Sequence, residues 1–288
     1  MDGLMQDCGS GQEASGSYAA RSPIEERLTR LVAALPIKLF AKPRRQVRAA
    51  TPPPAAVPCP EDTQLVVDFS RILLSEGIAE AVLFVRAVRD TGVSMETAFL
   101  DLFSPAARRL GVLWETDICS FAQVTIALGR MQIVLHEVSP AFQEEPCIAS
   151  CRGRRALLAA APSEQHTFGL TMLAEFLMRD GWDVATEPKS SEAGLAKAVQ
   201  GRWIDLVGLT ASCDGQLDRV NCIIKVMRRV SRNRAVVVLV GGKAFLDHPE
   251  RVARVGADAT ARNGHEACVL AARLCDSART CQAASRGV

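Results

Sequence analysis

Between residues 155 and 274 the chain alternates short apolar runs with amphipathic helical segments, and no other regularity in it restricts the fold as strongly. Residues 155–161 (Arg-Ala-Leu-Leu-Ala-Ala-Ala) form an unbroken apolar run, as expected of a strand covered on both faces. A helix follows with Leu170, Leu173, Phe176 and Leu177 at three- and four-residue spacing, and Gly181 supplies the left-handed stop after Arg179-Asp180. The pattern then repeats. Strands are expected at 182–186, 204–210, 235–240 and 257–261, and helices at 192–202, 217–230, 249–255 and 265–274. The helix at 217–230 carries Val220, Ile223, Ile224 and Met227 on one face, and the β-branched run at 235–240 suits a central strand. Strands alternating with helices predict a doubly wound parallel sheet.

Open parallel sheets bind ligands at the carboxyl ends of their strands. Three loops at that edge carry unusual residues: His166 after the first strand, Thr210-Ala211-Ser212-Cys213 after the third, and Gly241-Gly242 after the fourth. A loop histidine is most often a solvated residue, so position alone does not make His166 a ligand.

Upstream, residues 62–142 have the periodicity of a four-helix bundle. Leu65, Val66, Phe69, Ile72 and Leu73 form the first apolar stripe, and Ala79, Ala81, Val82, Val85 and Val88 the second. The third helix is expected at 94–110, capped by Ser94, and the fourth at 119–138. Between them, residues 110–117 read as a connection carrying Trp114, one of three tryptophans.

Together these residues resemble the cobalamin-binding domain family. Its carboxylate-x-His-x-x-Gly motif matches Glu164, His166 and Gly169; its second loop matches Thr210; its glycine pair matches Gly241 and Gly242. The resemblance implies that His166 is the lower axial ligand to cobalt, with the nucleotide tail of the cofactor threaded along the Ser/Thr and Gly-Gly loops. Imidazole is a good cobalt ligand, a carboxylate two residues away can orient the ring, and glycines let backbone approach a bulky nucleotide. Glu164 stands where the motif has Asp, and Ser212 where the second loop has Leu.

In cobalamin-binding photoreceptor regulators a similar bundle caps the corrin, with a tryptophan followed ten residues later by Glu-His. Counting from Trp114 reaches Val124-Thr125, so these positions offer no upper histidine ligand. That pattern resembles the AerR/PpaA family of photosynthesis antirepressors from purple bacteria, across bundle and sheet. The resemblance implies cobalamin, in its hydroxo or adenosyl form, bound base-off with an exchangeable upper ligand. It also implies a light- or redox-responsive antirepressor of a CrtJ/PpsR-type repressor. Trp114 suits both a cap over the corrin and a core plug at the bundle mouth.

The expected fold class is therefore α + α/β: a four-helix bundle followed by a flavodoxin-like, doubly wound five-stranded parallel sheet. The expected domains are an N-terminal extension (1–60), the bundle (61–143), a linker (144–153), the cobalamin-binding domain (154–276) and a flexible tail (277–288). Two other functions use the same fold by resemblance: a corrinoid methyl carrier of a methyltransferase system, and a haem-binding sensor. The N-terminal extension and the Val124-Thr125 replacement argue against the carrier, and haem is the second choice of cofactor. Independent catalysis is not expected, because no nucleophile–base–orienter set or paired carboxylates emerge from the sequence.

Length and charge agree with two soluble domains: 288 residues, 48% hydrophobic and 23% charged, with a formal net charge of +2. No apolar stretch is long enough to span a bilayer and no secretory leader is evident, so no membrane partner is expected and the location is expected to be cytoplasmic. Ten cysteines without a Cys-x-x-Cys pair are expected to be mainly reduced. Cys147 and Cys151, the closest pair, fit a redox-sensitive bridge, a share in an iron–sulfur cluster, or a solvated linker pair. Residues 24–40 have amphipathic helical spacing. The basic run from Lys38 to Arg48 suits DNA phosphate, an acidic partner or a solvated tail, and a Pro-rich extended linker follows at 51–58.

Overall fold

The computed structural model describes residues 63–145, 151, 153–187 and 191–286, with side chains to 282. The expected N-terminal helix, the basic run Lys38 to Arg48 and Cys147 lie outside the described residues. All described residues belong to one compact unit.

The bundle is built from α1 (Gln64–Ser75), α2 (Ile78–Asp90), a rod made of α3 (Met95–Ala98), a π turn (Phe99–Phe103) and α4 (Ser104–Glu115), and α5 (Phe121–Gln143). Ser94 caps α3 as its sequence position predicts, accepting from the Thr97 backbone N–H at 3.0 Å. The π turn ends at Ser104-Pro105, where a proline has no N–H to donate and crowds the preceding turn; one wider turn absorbs the mismatch. The rod continues to Glu115, so Trp114 lies in α4 rather than in a connection between helices. Ser120 and Gln123 close a reciprocal capping box at the start of α5, the Ser120 N–H donating to Gln123 Oε1 at 2.8 Å.

Helix α5 also runs past Val138, the end expected from sequence, and carries Pro140 inside it. Tertiary contacts outweigh the lost backbone bond. Phe142 is fully buried, with ring centroids 4.4 Å from Phe99 and 4.9 Å from Phe176, and Gln143 donates to the Glu175 carboxylate at 2.8 Å.

Five parallel strands follow: β1 (Arg155–Ala160), β2 (Asp183–Glu187), β3 (Leu206–Thr210), β4 (Val237–Gly241) and β5 (Ala259–Thr260), in the order β2-β1-β3-β4-β5. This is the flavodoxin-like order. Strand period two divides the core. Ala156, Leu158, Leu206 and Leu239 join the bundle in one core with α6 (Phe168–Arg179) and α11 (Gly264–Arg286). Leu157, Ala159, Val207, Leu209 and Val238 pack on the other side against α7 (Glu192–Gly201) and α8 (Leu217–Val230). Short helices α9 (Lys243–Leu246) and α10 (Arg251–Val255) precede β5.

Two expectations are corrected at the edges. Residues 277–286 continue α11 instead of forming a flexible tail, because Arg279 reaches buried Asp205 at 3.0 Å and Gln282 reaches Asn233 at 3.0 Å. Cys151 is buried rather than solvated, its backbone N–H donating to the Asp180 carbonyl at 2.8 Å. Burial pushes its thiol pKa up and raises that of Cys275 to about 12, so both remain protonated and poor nucleophiles. Among the described residues no helix is long and apolar enough to cross a membrane.

Candidate functional site

The carboxyl edge of the sheet brings the three loops together through its register. Ala160 pairs with Thr210 and Thr210 with Gly241, so the first residues beyond β1, β3 and β4 leave the sheet side by side. Backbone bonds continue the lacing: Ala161 N–H to Thr210 C=O at 2.9 Å, and Ala211 N–H to Gly241 C=O at 3.0 Å. A tight turn over Ala161-Pro162-Ser163-Glu164 then folds Glu164 back beneath the edge, its N–H reaching the Ala161 carbonyl at 2.8 Å. Ser163 takes a positive φ of 72° in the third position of that turn, a conformation that side chains other than glycine, Asn and Asp rarely adopt.

Glu164 is the centre of the site. Its Oε1 accepts from the Gln165 and His166 backbone N–H groups, both at 2.7 Å, and lies 2.8 Å from His166 Nδ1. Its Oε2 accepts from the Ser212 N–H and the Ser212 hydroxyl, both at 2.6 Å. Gln216 Oε1 supports the same loop from below, accepting from Ser212 N–H at 3.0 Å and Cys213 N–H at 3.3 Å. The two departures from the family motif thus touch each other. The longer Glu164 arm spans from the imidazole to the second loop, and a serine there meets it with two donors, which leucine has no hydroxyl to do.

The electrostatics follow from that wiring. Burial pushes the Glu164 carboxyl upward, but hydrogen bonds from the His166 ring, from Ser212 and from the His166 backbone outweigh it and hold it at about 2. The Glu164 bond raises the His166 pKa above its ordinary value, against burial and the Lys243 charge, which lower it. The Glu164 side chain is 1% exposed and the His166 side chain 72% exposed. A buried carboxylate therefore fixes Nδ1–H, leaving the other ring nitrogen, Nε2, on the exposed part of the side chain as the basic one.

Serine, histidine and glutamate meeting in one site invite comparison with a hydrolase triad, but the connectivity differs. Ser212 Oγ lies 3.2 Å from Nδ1, the nitrogen already committed to Glu164, and its hydroxyl donates to the carboxylate. The serine and the imidazole share one carboxylate instead of forming a serine–histidine–acid relay, and this wiring is suited to orienting the ring.

The glycines divide into two kinds. At Gly242, with φ at 93°, a Cβ would sit 2.2 Å from the Ala211 carbonyl oxygen, so the fold itself demands glycine. At Gly169 and Gly241 a Cβ would meet nothing within 4 Å, so the fold does not. Backbone left bare where the protein has room for a side chain, beside an oriented imidazole, is a surface suited to a large ligand. On these two observations the residues fit a corrinoid.

Trp114 packs partly buried against the bundle core and meets Phe121 edge-on, centroids 6.2 Å apart. Val124 is buried in that core, and the Thr125 hydroxyl donates to the Phe121 carbonyl at 2.8 Å. Among the described residues no bond joins these three to the His166 loops; Glu115 of the bundle reaches the sheet edge, its Oε1 3.6 Å from Lys243 Nζ. Sequence reasoning passed over Lys243, although a lysine directly after a loop glycine pair was a visible signal. The Ser212 hydroxyl, on the loop expected to line the channel of a cofactor tail, donates to Glu164.

Residues 154–272 match the B12 binding domain model. The fold is similar to that of the Methanosarcina barkeri monomethylamine corrinoid protein, with a TM-score of 0.62 at 15% identity, covering 72% of this chain and 97% of that one. An uncharacterized 20.5 kDa protein of the bchF-crtJ intergenic region of Rhodobacter capsulatus is 30% identical over 172 residues, 59% of this chain and 88% of its own. A B12-binding domain behind a helical bundle, with that relative matched over most of its length, places the chain in the AerR/PpaA family of the cobalamin-binding domain superfamily.

Proposed function

We propose that this protein is a cobalamin-binding transcriptional regulator, an antirepressor that acts on a CrtJ/PpsR-type repressor of photosynthesis genes in response to light or redox state. The observation that carries the cofactor half is the exposed His166 imidazole held at Nδ1 by buried Glu164. A solvated ring gains little from so costly a buried partner unless its free nitrogen has work to do. The regulatory half is supported by the relative's place beside crtJ. A non-enzymatic role agrees with a serine that donates to the carboxylate and not to the imidazole, unlike a hydrolase triad.

When bound, a corrinoid would supply a cobalt with an exchangeable ligand or a light-labile alkyl bond. His166 would hold it through Nε2, Glu164 keeps the ring turned and basic, and Ser212 keeps Glu164 in place. Gly169 and Gly241 leave room for it along the backbone, and the bundle around Trp114 would cover it. A change of upper ligand alters transcription only if the repressor binds one state of the chain better than the other.

The test is absorption spectroscopy of the purified protein with hydroxocobalamin and with adenosylcobalamin, in darkness and in light, beside His166→Ala. A shifted corrin spectrum in the wild type that is lost in the variant is expected; equal binding by both overturns the ligand assignment. The regulatory half is tested by adding loaded and cofactor-free protein to a CrtJ-type repressor bound to its operator. Release of the repressor by one form only is expected, and equal release by both, or none, overturns it.

A further inference from the structure

The rod formed by α3, the π turn and α4 is tied to the sheet domain at both ends, and the ties differ in kind. At its start Glu96 pairs with Arg179 at the end of α6, and its other oxygen lies 2.7 Å from His265 Nδ1 on α11. The Arg179 side chain is 7% exposed and its guanidinium lies 4.1 Å from the centre of the Phe142 ring. Glu145 adds to the same tie. It lies 3.6 Å from Arg179 and accepts from the Met95 and Glu96 backbone N–H groups at 2.6 and 3.3 Å. Breaking this tie leaves charges uncompensated in a largely dry place.

At the other end of the rod, about 28 Å away at 1.5 Å per residue, Glu115 meets Lys243. Their side chains are 59% and 67% exposed and 3.6 Å apart. Lys243 follows Gly242 directly, and its charge is felt at His166. The pair therefore spans from the Trp114 end of the bundle to the loop beside the imidazole. Between the two ties lies the π turn, the kind of local irregularity that lets a helix flex.

We propose that the Glu115–Lys243 ion pair is an entry latch: it draws the Trp114 end of the rod over His166 and opens for a corrinoid to reach the imidazole, while the Arg179 tie stays made. The latch rests on the cobalamin reading of the His166 site. An exposed pair is weak, which is what a latch needs; its loss changes an equilibrium by roughly 1.4- to 5-fold.

The experiment is stopped-flow uptake of hydroxocobalamin by the full chain, followed by the corrin absorption shift. Glu115→Gln and Lys243→Gln are each expected to speed uptake by roughly 1.4- to 5-fold, and the swap Glu115→Lys with Lys243→Glu to return it to the wild-type rate. Raising the salt should speed the wild type and leave the two single variants unchanged. Hydrogen exchange at the amides of residues 112–118 in the cofactor-free chain should rise in both single variants. Wild-type rates in both, or a swap as fast as the singles, overturn the latch while His166-dependent uptake leaves the cobalamin reading standing. A wild type that takes up no corrinoid overturns both.

Discussion

At the scale of single residues, Glu164 sets the acid behaviour of the site. Its pKa in the folded chain is about 2 against an ordinary 4.5, so its contribution is present above pH 4.5 and is lost as pH falls toward 2. That contribution is of the order of 3 kcal/mol. It should appear as a steepening loss of stability in urea melts between pH 4.5 and 2, absent in Glu164→Gln. His166 works with the opposite sign. Its raised pKa stabilises the fold below about pH 6.5, an effect lost as pH rises through the raised value. The proton competes with cobalt for Nε2, so corrinoid affinity should fall tenfold per pH unit below that pKa. Glu164→Gln, by removing the carboxylate, should move this fall to lower pH in a spectroscopic titration. Ser212→Ala removes one of two donors to Glu164 Oε2 and is expected to cost about 1–2 kcal/mol in the same melts.

At the scale of elements, the loops after β3 and β4 separate folding from binding. Gly242→Ala places a methyl against a backbone carbonyl at a positive φ, where nothing flexible can yield, and is expected to cost at least 2 kcal/mol. Gly241→Ala meets nothing within the protein and should leave stability within about 1 kcal/mol. Its effect is expected in corrinoid affinity instead. Thermal melts beside cofactor titrations of the two variants check this; equal losses of affinity with no loss of stability would mean that neither glycine serves the fold. Helix α5 shows the same separation in another form. Pro140 is a stop signal by local rules, yet buried Phe142 and the bond from Gln143 to Glu175 carry the helix past it.

At the scale of the whole molecule, one aromatic and ionic cluster joins the bundle to the sheet. Phe99, Phe142 and Phe176 meet from three elements in tilted and edge-on ring contacts, and Arg179 lies over two of them while pairing with Glu96 and Glu145. Burial would raise the Glu96 carboxyl, but Arg179 and then His265 hold it below its usual value. Arg179→Ala leaves two acids facing each other beside the aromatic core. The expected loss is roughly 3 kcal/mol, the low end for a buried pair because both acids keep some water contact. Denaturant melts should also show the bundle and sheet unfolding in separate steps, where the wild type unfolds in one.

Much of this protein is determined by local sequence. The strand–helix alternation after residue 154 specifies the sheet, because an apolar run with no polar face has to be covered on both sides. Glu164, His166 and the glycine pair stand at strand ends, and strand ends of a parallel sheet share one edge whatever the detailed packing. Ser94 and Gly181 mark their helix ends because caps are local hydrogen bonding and local φ. Only the tertiary structure decided that Ser212 is a partner of Glu164, 48 residues away, that Lys243 meets Glu115 of the bundle, and that α5 and α11 outrun their expected ends. Each depends on two distant segments arriving at one place, where a buried ring or a paired charge outweighs the preference of the residue itself, and that balance is written in no single window of the chain.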